Sequence, residues 1–214
     1  MKKQYYIIGS GGFAKEVYFL AENTLDSSHQ FMGFIDKNPS VASIKVRGRM
    51  EEVIDEDFFL DNVFPNESLA IYNGVGDPNL LLKLTTKFKD YNFPNLIHSN
   101  FVGDTRSIVM GKGNIITAGC IFTVDINIGA FNIFNLSTTV GHDTIIGDCN
   151  IFNPGVNISG GVVIGTANLF GTNSTVLQLI QIKDRNILGA SSMANKNIEN
   201  DAVMIGSPAK LLVR

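Results

Sequence analysis

From Met110 onward every sixth residue of the chain is apolar. The series runs Met110, Ile116, Phe122, Ile128, Phe134, Val140, Ile146, Phe152, Ile158, Ile164, Phe170, Val176, Ile182 and Leu188, fourteen positions without a break in a chain that is 44% hydrophobic. Glycine often follows, as at Gly111, Gly129, Gly141, Gly147, Gly165, Gly171 and Gly189. A second period lies over the first. Asn114, Asn132, Asn150, Asn168 and Asn186 recur every 18 residues, each before an apolar residue. Neither a helix nor an ordinary strand repeats in this way. Three hexads make one coil of a three-sided prism. Stacked coils place each apolar residue above its counterpart and fill a core that no single coil could bury. The asparagines then share one corner, where left-handed backbone angles are expected and side-chain amides can ladder from coil to coil. The glycines answer the need for tight corners. These residues are scaffold.

Before about residue 100 the pattern is different. Tyr5 to Ile8 is a short apolar run ending in Gly9, the profile of a buried parallel strand. Phe13 to Glu22 carries Phe13, Val17, Leu20 and Ala21 at helical spacing. A second strand is expected over Phe31 to Ile35, ending at Asp36, followed by the turn cluster Lys37-Asn38-Pro39-Ser40. A short helix is expected over Val53 to Leu60 and a third strand over Leu69 to Tyr72. Pro78 opens a helix carrying Leu80, Leu81, Leu84 and Phe88. Alternating strands and helices predict a small Rossmann-like α/β unit over residues 1–97, with the prism over residues 98–214.

Composition narrows the function. A net charge of -3 gives no basic field for nucleic acid. Two cysteines, Cys120 and Cys149, are too few for a disulfide framework and lack metal-ligand spacing, so no metal is expected. The apolar stretch near the start is too short for a signal peptide, and no run approaches a membrane span. The expectation is a soluble cytoplasmic protein without a membrane partner.

Of three histidines, His142 breaks the repeat: 18 residues to either side lie Val124 and Gly160. It follows a core position by two residues, so its ring is expected at an outer corner, beside Asp143. A neutral imidazole there can take a proton from an acyl acceptor, and a carboxylate can hold its tautomer. Gly160 and Gly161, one coil along, are candidate N–H donors to an oxyanion. His98 is expected to be structural, at the junction of the halves, and His29 to be merely solvated. Neither cysteine is needed for direct transfer, and the position of Cys149 looks non-critical. At the other end, Ser10, Gly11 and Gly12 lie between a strand and a helix, where free N–H groups can hold a diphosphate. Asp36 ends the second strand, where an acid can accept ribose hydroxyls or be a solvated turn residue. Gly74, Gly76 and Asp77 border the same crevice. The unit is short for a dinucleotide domain, which favours a nucleotide-linked sugar.

GSGGFAKEV at the start, VGHDTIIGD at the centre and MIGSPAKLL at the end resemble the sialic acid O-acetyltransferase family of sugar acyltransferases, over nearly the whole chain. The resemblance implies a left-handed parallel β-helix of hexapeptide repeats; the spacing itself gives no hand. It implies acetyl-CoA as co-substrate and N-acetylation of a UDP-linked 4-amino-4,6-dideoxy sugar in bacterial glycan synthesis. His142 would be the general base and Asp143 the acid that raises its basicity. Ser10, Gly11, Gly12, Asp36, Lys37 and Gly76 would line the nucleotide-sugar pocket, with Phe13 where relatives often carry histidine. Acetyl-CoA would touch Gly160, Thr172 and Ala190, and Ile151 stands where some relatives place a second histidine against the cofactor. The family forms homotrimers with the site between neighbouring prisms. Two alternatives stay open: O-acetylation of a sugar such as a sialic acid, and a non-catalytic sugar-nucleotide-binding scaffold. A serine acetyltransferase fits less well, because its N-terminal part is helical.

Overall fold

The computed structural model describes residues 2–37 and 39–213. Its first part is a five-stranded sheet with β1 (Lys3–Ile8), β2 (His29–Asp36), β3 (Ser43–Val46), β4 (Arg49–Asp55) and β5 (Leu69–Asn73) in the order β3-β4-β2-β1-β5. Strands β4, β2, β1 and β5 are parallel and β3 is antiparallel to β4, so the sheet is mixed. Helix α1 (Gly12–Thr24) follows β1 and turns Ala14, Val17, Tyr18, Leu20 and Ala21 inward, the i, i+3, i+4, i+7 stripe of a one-sided helix. Helices α2 (Glu56–Asn62) and α3 (Pro78–Lys87) are each started by an aspartate. Asp55 accepts from the Asp57 and Phe58 N–H groups and Asp77 accepts from Leu80 N–H, ahead of Pro78 at the first turn.

Two expectations are corrected here. The helix expected over Val53 to Leu60 starts only at Glu56, because Val53–Asp55 belongs to β4 and pairs with Phe34–Asp36. The third strand of the simple alternation is the fifth, because a hairpin lies between: Arg47 and Gly48, both at positive φ, close β3 onto β4. The turn residue Asn38 lies outside the described residues. In α3, Leu81 and Leu84 are buried, as is Phe88 just after it, but Leu80 faces outward.

The second part is a parallel β-solenoid, consistent with a left-handed β-helix. Face one carries Leu96–Ile97, Ile115–Ile116, Ile133–Phe134, Ile151–Phe152, Leu169–Phe170, Ile187–Leu188 and Val203–Ile205, capped by antiparallel Lys210–Leu211. Face two runs from Ile121–Phe122 to Met193–Ala194 and face three from Ile108–Met110 to Gln181–Ile182. Ile133 pairs with Ile151, and Thr139 with Asn157, so the register step is one 18-residue coil. All fourteen hexad positions except the half-buried Met110 are buried. Phe134, Phe152 and Phe170 stack with ring centroids 4.7 Å apart.

The asparagine ladder is continuous. Asn132 N–H donates to Asn114 Oδ1 at 2.8 Å, Asn150 to Asn132 at 2.9 Å, Asn168 to Asn150 at 2.9 Å and Asn186 to Asn168 at 2.8 Å. Asn95 starts it below and Ala202 N–H ends it above. The left-handed angle assigned to these asparagines belongs instead to the residue before each: Gly113, Phe131, Cys149, Ala167 and Arg185 all have positive φ. Each asparagine thereby keeps its amide buried for the ladder. The position of Cys149 is therefore a corner, and its thiol is buried. The repeat glycines serve close approach more than bending. A Cβ on Gly141 would lie 2.5 Å from Gly160 N on the next coil.

The two parts share a core. Ile115, Phe131, Ile133, Cys149 and Ile151 on face one and its adjoining corner pack into the same cluster as Tyr5, Ile7, Phe34 and Phe59. Phe93 meets Phe131 edge to face at 5.1 Å. Among the described residues no helix is long and apolar enough to cross a membrane.

Candidate active site

The corner between faces two and three holds His142. Its turn, Gly141 to Thr144, joins Thr139–Val140 to Ile145–Ile146. Asp143 occupies the left-handed position there, with φ of 57°. Backbone bonds fix the turn between neighbouring coils: Asp143 N–H donates to Val124 O at 3.2 Å, and Gly161 N–H to His142 O at 2.7 Å. The imidazole is exposed, with 64% of the side chain accessible, and Nδ1 lies 2.7 Å from Asp143 Oδ2. An ionised carboxylate only accepts, so in the neutral ring Nδ1 carries the proton and Nε2 offers its lone pair outward. The ring lies against Gly160. A Cβ built there would sit 2.6 Å from Nε2 and 2.7 Å from Cε1. Glycine at 160 is thus what gives the imidazole its place. The two proposed N–H donors separate. That of Gly161 is consumed by the His142 carbonyl, whereas that of Gly160 has no acceptor among the described residues. Burial pushes the Cys120 thiol up to about 11 and the Cys149 thiol up to about 12, so neither is a ready nucleophile at neutral pH.

At the sheet, Gly9 follows β1 with φ of 95° and its N–H donates to Ile35 O at 2.7 Å. Gly11 caps α1 without a side-chain bond, and no acid lies in the first turn, so the positive end of the helix is open. Added Cβ atoms on Gly11, Gly12 or Gly76 would meet nothing within 4 Å. Gly74 is different: a Cβ there would fall 2.8 Å from Ala14 Cα, so it lets α1 close onto the end of β5. Both Asp36 oxygens are engaged, one by the Ser10 hydroxyl and one by Lys37 N–H at 2.8 Å. Asp36 therefore ties the glycine loop to the end of β2. Beside it is a crevice of about 200 Å³ between Asp36, Lys37, Val75 and α3. Lys83 and Lys87 line it and were not anticipated, since α3 reaches the loop only in the fold. Lys87 is bonded to Glu56 and, at 2.9 Å, to Asp57, which hold its ammonium above the ordinary lysine range.

A second cleft, of about 270 Å³, lies between the loops and face one. Phe13, Glu16 and Gly76 form one side, Ile133, Ile151, Asn135 and Asn153 the other. It brings Ile151 together with Phe13 and Gly76 rather than with Gly160. Thr172 and Ala190 occupy a third place, the exposed corner between faces one and two, stacked one coil apart with Ser191 N–H on Thr172 O at 2.8 Å. His98 borders a hollow under α1, and its Nδ1 accepts from Asn100 N–H at 3.0 Å. His29 is not merely solvated: its Nδ1 is 2.9 Å from Asp26. Among the described residues no group of three or more His, Cys, Asp or Glu side chains could hold a metal ion.

No family model and no curated protein matches the chain. Solved structures do. The perosamine N-acetyltransferase of Caulobacter crescentus, a histidine variant in complex with CoA and GDP-perosamine, is 25% identical; the match covers 99% of this chain and 97% of that one, with a TM-score of 0.86. The acetyltransferase domain of PglB from Neisseria gonorrhoeae, also solved with acetyl coenzyme A, is 23% identical over 99% and 100% of the two chains at a TM-score of 0.88, a likeness of fold. WeeI from Acinetobacter baumannii is 24% identical over 97% and 99% at 0.83.

Proposed function

We propose that the chain is an acetyl-CoA-dependent acyltransferase that acetylates the amino group of a nucleotide-linked amino sugar. The full-length likeness to a perosamine N-acetyltransferase supports the class of reaction and the co-substrate. The exposed imidazole held by Asp143 at 2.7 Å, with Nε2 turned outward over Gly160, carries the mechanism. In this reading the amine attacks the thioester carbonyl carbon while its N–H proton passes to Nε2. The free Gly160 N–H stabilises the oxyanion. The C–S bond then breaks, and the departing thiolate takes the proton back from the imidazolium. The Rossmann-like sheet holds the nucleotide, in our reading a uridine diphosphate, at the open start of α1.

One chain alone is incomplete in this reading. The sheet covers face one, whereas His142 stands on the opposite edge, between faces two and three. Thr172 and Ala190 are on yet another edge. A homotrimer sets the edge of one prism beside that of the next, and the exposed Ile121, Ile145 and Val163 on faces two and three suit such contacts. The test is His142→Ala. Acetyl transfer to a UDP- or GDP-linked amino sugar, followed by mass spectrometry, should fall by roughly a hundredfold or more. Stabilisation of the protein by CoA should persist. Wild-type turnover in the variant removes His142 as the base. A hydroxyl acceptor run beside the amine separates N- from O-acetylation.

A further inference from the structure

The cleft between α1 and face one has a charge balance that the acyl-transfer reading does not use. Phe13, Gly76, Ile133 and Ile151 contribute no charge to it. Its two amides are already committed in part: Asn135 Oδ1 accepts Leu136 N–H at 2.8 Å, and Asn153 Nδ2 donates to Phe170 O at 3.0 Å. Glu16, one helical turn past Phe13, is the one charged side chain lining the cleft among the described residues. It is exposed, and among the described residues no ion pair or hydrogen bond engages its carboxylate. It also lines the hollow of about 160 Å³ that runs on along α1 beside Phe19 and Leu136. A carboxylate without a cationic partner at the rim of a cleft whose other walls are neutral gives a local negative potential that favours a cation and opposes an anion.

We propose that Glu16 binds the protonated amine of the acceptor sugar and makes the site selective for amino sugars over hydroxylated or acidic ones. The inference rests on the reading above, because Phe13 and Gly76 flank the loops there assigned to the nucleotide-linked sugar. An ammonium beside Glu16 gains a charge-assisted hydrogen bond. A neutral hydroxyl gains less, and the carboxylate of a sialic acid is repelled. Acetylation removes the positive charge, so the product loses this contact and leaves more readily. The ammonium is the form bound; it gives one proton to solvent before the neutral nitrogen attacks.

Calorimetric binding without acetyl-CoA tests this on the full chain. The probes are UDP- and GDP-linked 4-amino-4,6-dideoxyhexose and their N-acetylated counterparts. Wild type should bind the amine about two- to fivefold more tightly than the amide, the range of an accessible charge-assisted contact. Glu16→Gln should abolish that preference and leave amide affinity within about twofold. In turnover the variant should raise KM by a similar factor with kcat nearly unchanged. A preference that survives in Glu16→Gln overturns the proposal, as does a wild type that binds both forms equally or neither. The two readings fail separately. A wild type that prefers the amine yet transfers no acetyl group loses the acyltransferase reading and keeps Glu16. One that acetylates the amine with Glu16→Gln unchanged loses Glu16 alone.

Discussion

The prism and the sheet are held together by different kinds of interaction. In the prism the interactions are repeated and mostly neutral, although Asp148 and Asp184 accept from Ala130 N–H and Thr166 N–H one coil away. The phenylalanine stack and the asparagine ladder each have a copy one coil on. Its ion pairs lie near its ends, at Asp104–Arg106, Lys183–Glu199 and Arg185–Asp201, apart from His142 with Asp143. In the sheet the polar interactions are singular: Tyr5 with Glu22, Tyr18 with Glu51, Ser10 with Asp36, and Lys87 between Glu56 and Asp57. Repetition supplies a background against which an exceptional residue stands out. The column Val124, His142, Gly160, Gln178 has no common residue, whereas the asparagine column has nothing else. The sheet has no such background, and its functional groups must be found in the fold.

The sharpest way to break this comparison is to remove one member of the stack. Phe152→Ala should cost about 3–5 kcal/mol in chemical denaturation. Phe152 is sandwiched between Phe134 and Phe170, and backbone bonds such as Ile133 N–H to Asn150 O at 2.9 Å hold the coils at their spacing, so the gap cannot close. A loss under about 1 kcal/mol would mean that coils relax individually and that the repeat does not act as one body.

The same contrast explains what could be read from the sequence. The hexads, the asparagine ladder and His142 were all legible, because position along an 18-residue coil fixes which side faces in. The left-handed corners were misplaced by one residue, since Phe131, Cys149 and Arg185 share no chemistry that marks them. The β3–β4 hairpin was missed because its strands carry Lys45, Arg49, Glu51 and Glu52 on largely open surfaces, which masks alternation. Only the Arg47-Gly48 pair hinted at it. That Glu16, Lys83 and Lys87 line clefts was invisible because segments far apart in the chain create those clefts.

A smaller effect is expected from the sheet's buried ion pair. The Glu56 side chain is 7% accessible, and Lys87 joins it from α3. Lys87→Met keeps the aliphatic stem but leaves that carboxylate without its cation. The expected loss is about 1–3 kcal/mol, since a buried charged group without a partner is costly while Lys87 itself is part-exposed. Because the interaction occurs once, no neighbouring copy can share the strain. An unchanged denaturation midpoint would show that α2 and α3 are held by Phe59, Phe88 and Tyr91 packing alone.

The smallest effect separates the two regions by pH. Hydrogen bonds from Ser28, and next from His29, hold the Asp26 carboxyl down to about 2 against an ordinary 3.8. A carboxyl depressed on folding stabilises the native state in full where it is ionised in both the folded and the unfolded chain, and it loses that contribution as pH falls through the unfolded and then the folded value. That contribution is complete above about pH 4, shrinks as pH falls, and is gone below about pH 2. Asp26→Asn should therefore melt slightly lower than wild type at neutral pH, and the two melting curves should converge between about pH 4 and pH 2. The carboxylate is exposed, so the difference should also shrink in high salt. Among the described residues the only carboxylate–histidine pair of the stacked middle coils is His142 with Asp143. Curves that stay parallel through the acid range would show that the Asp26 turn persists in the unfolded chain, and would remove this charge from what distinguishes sheet from prism.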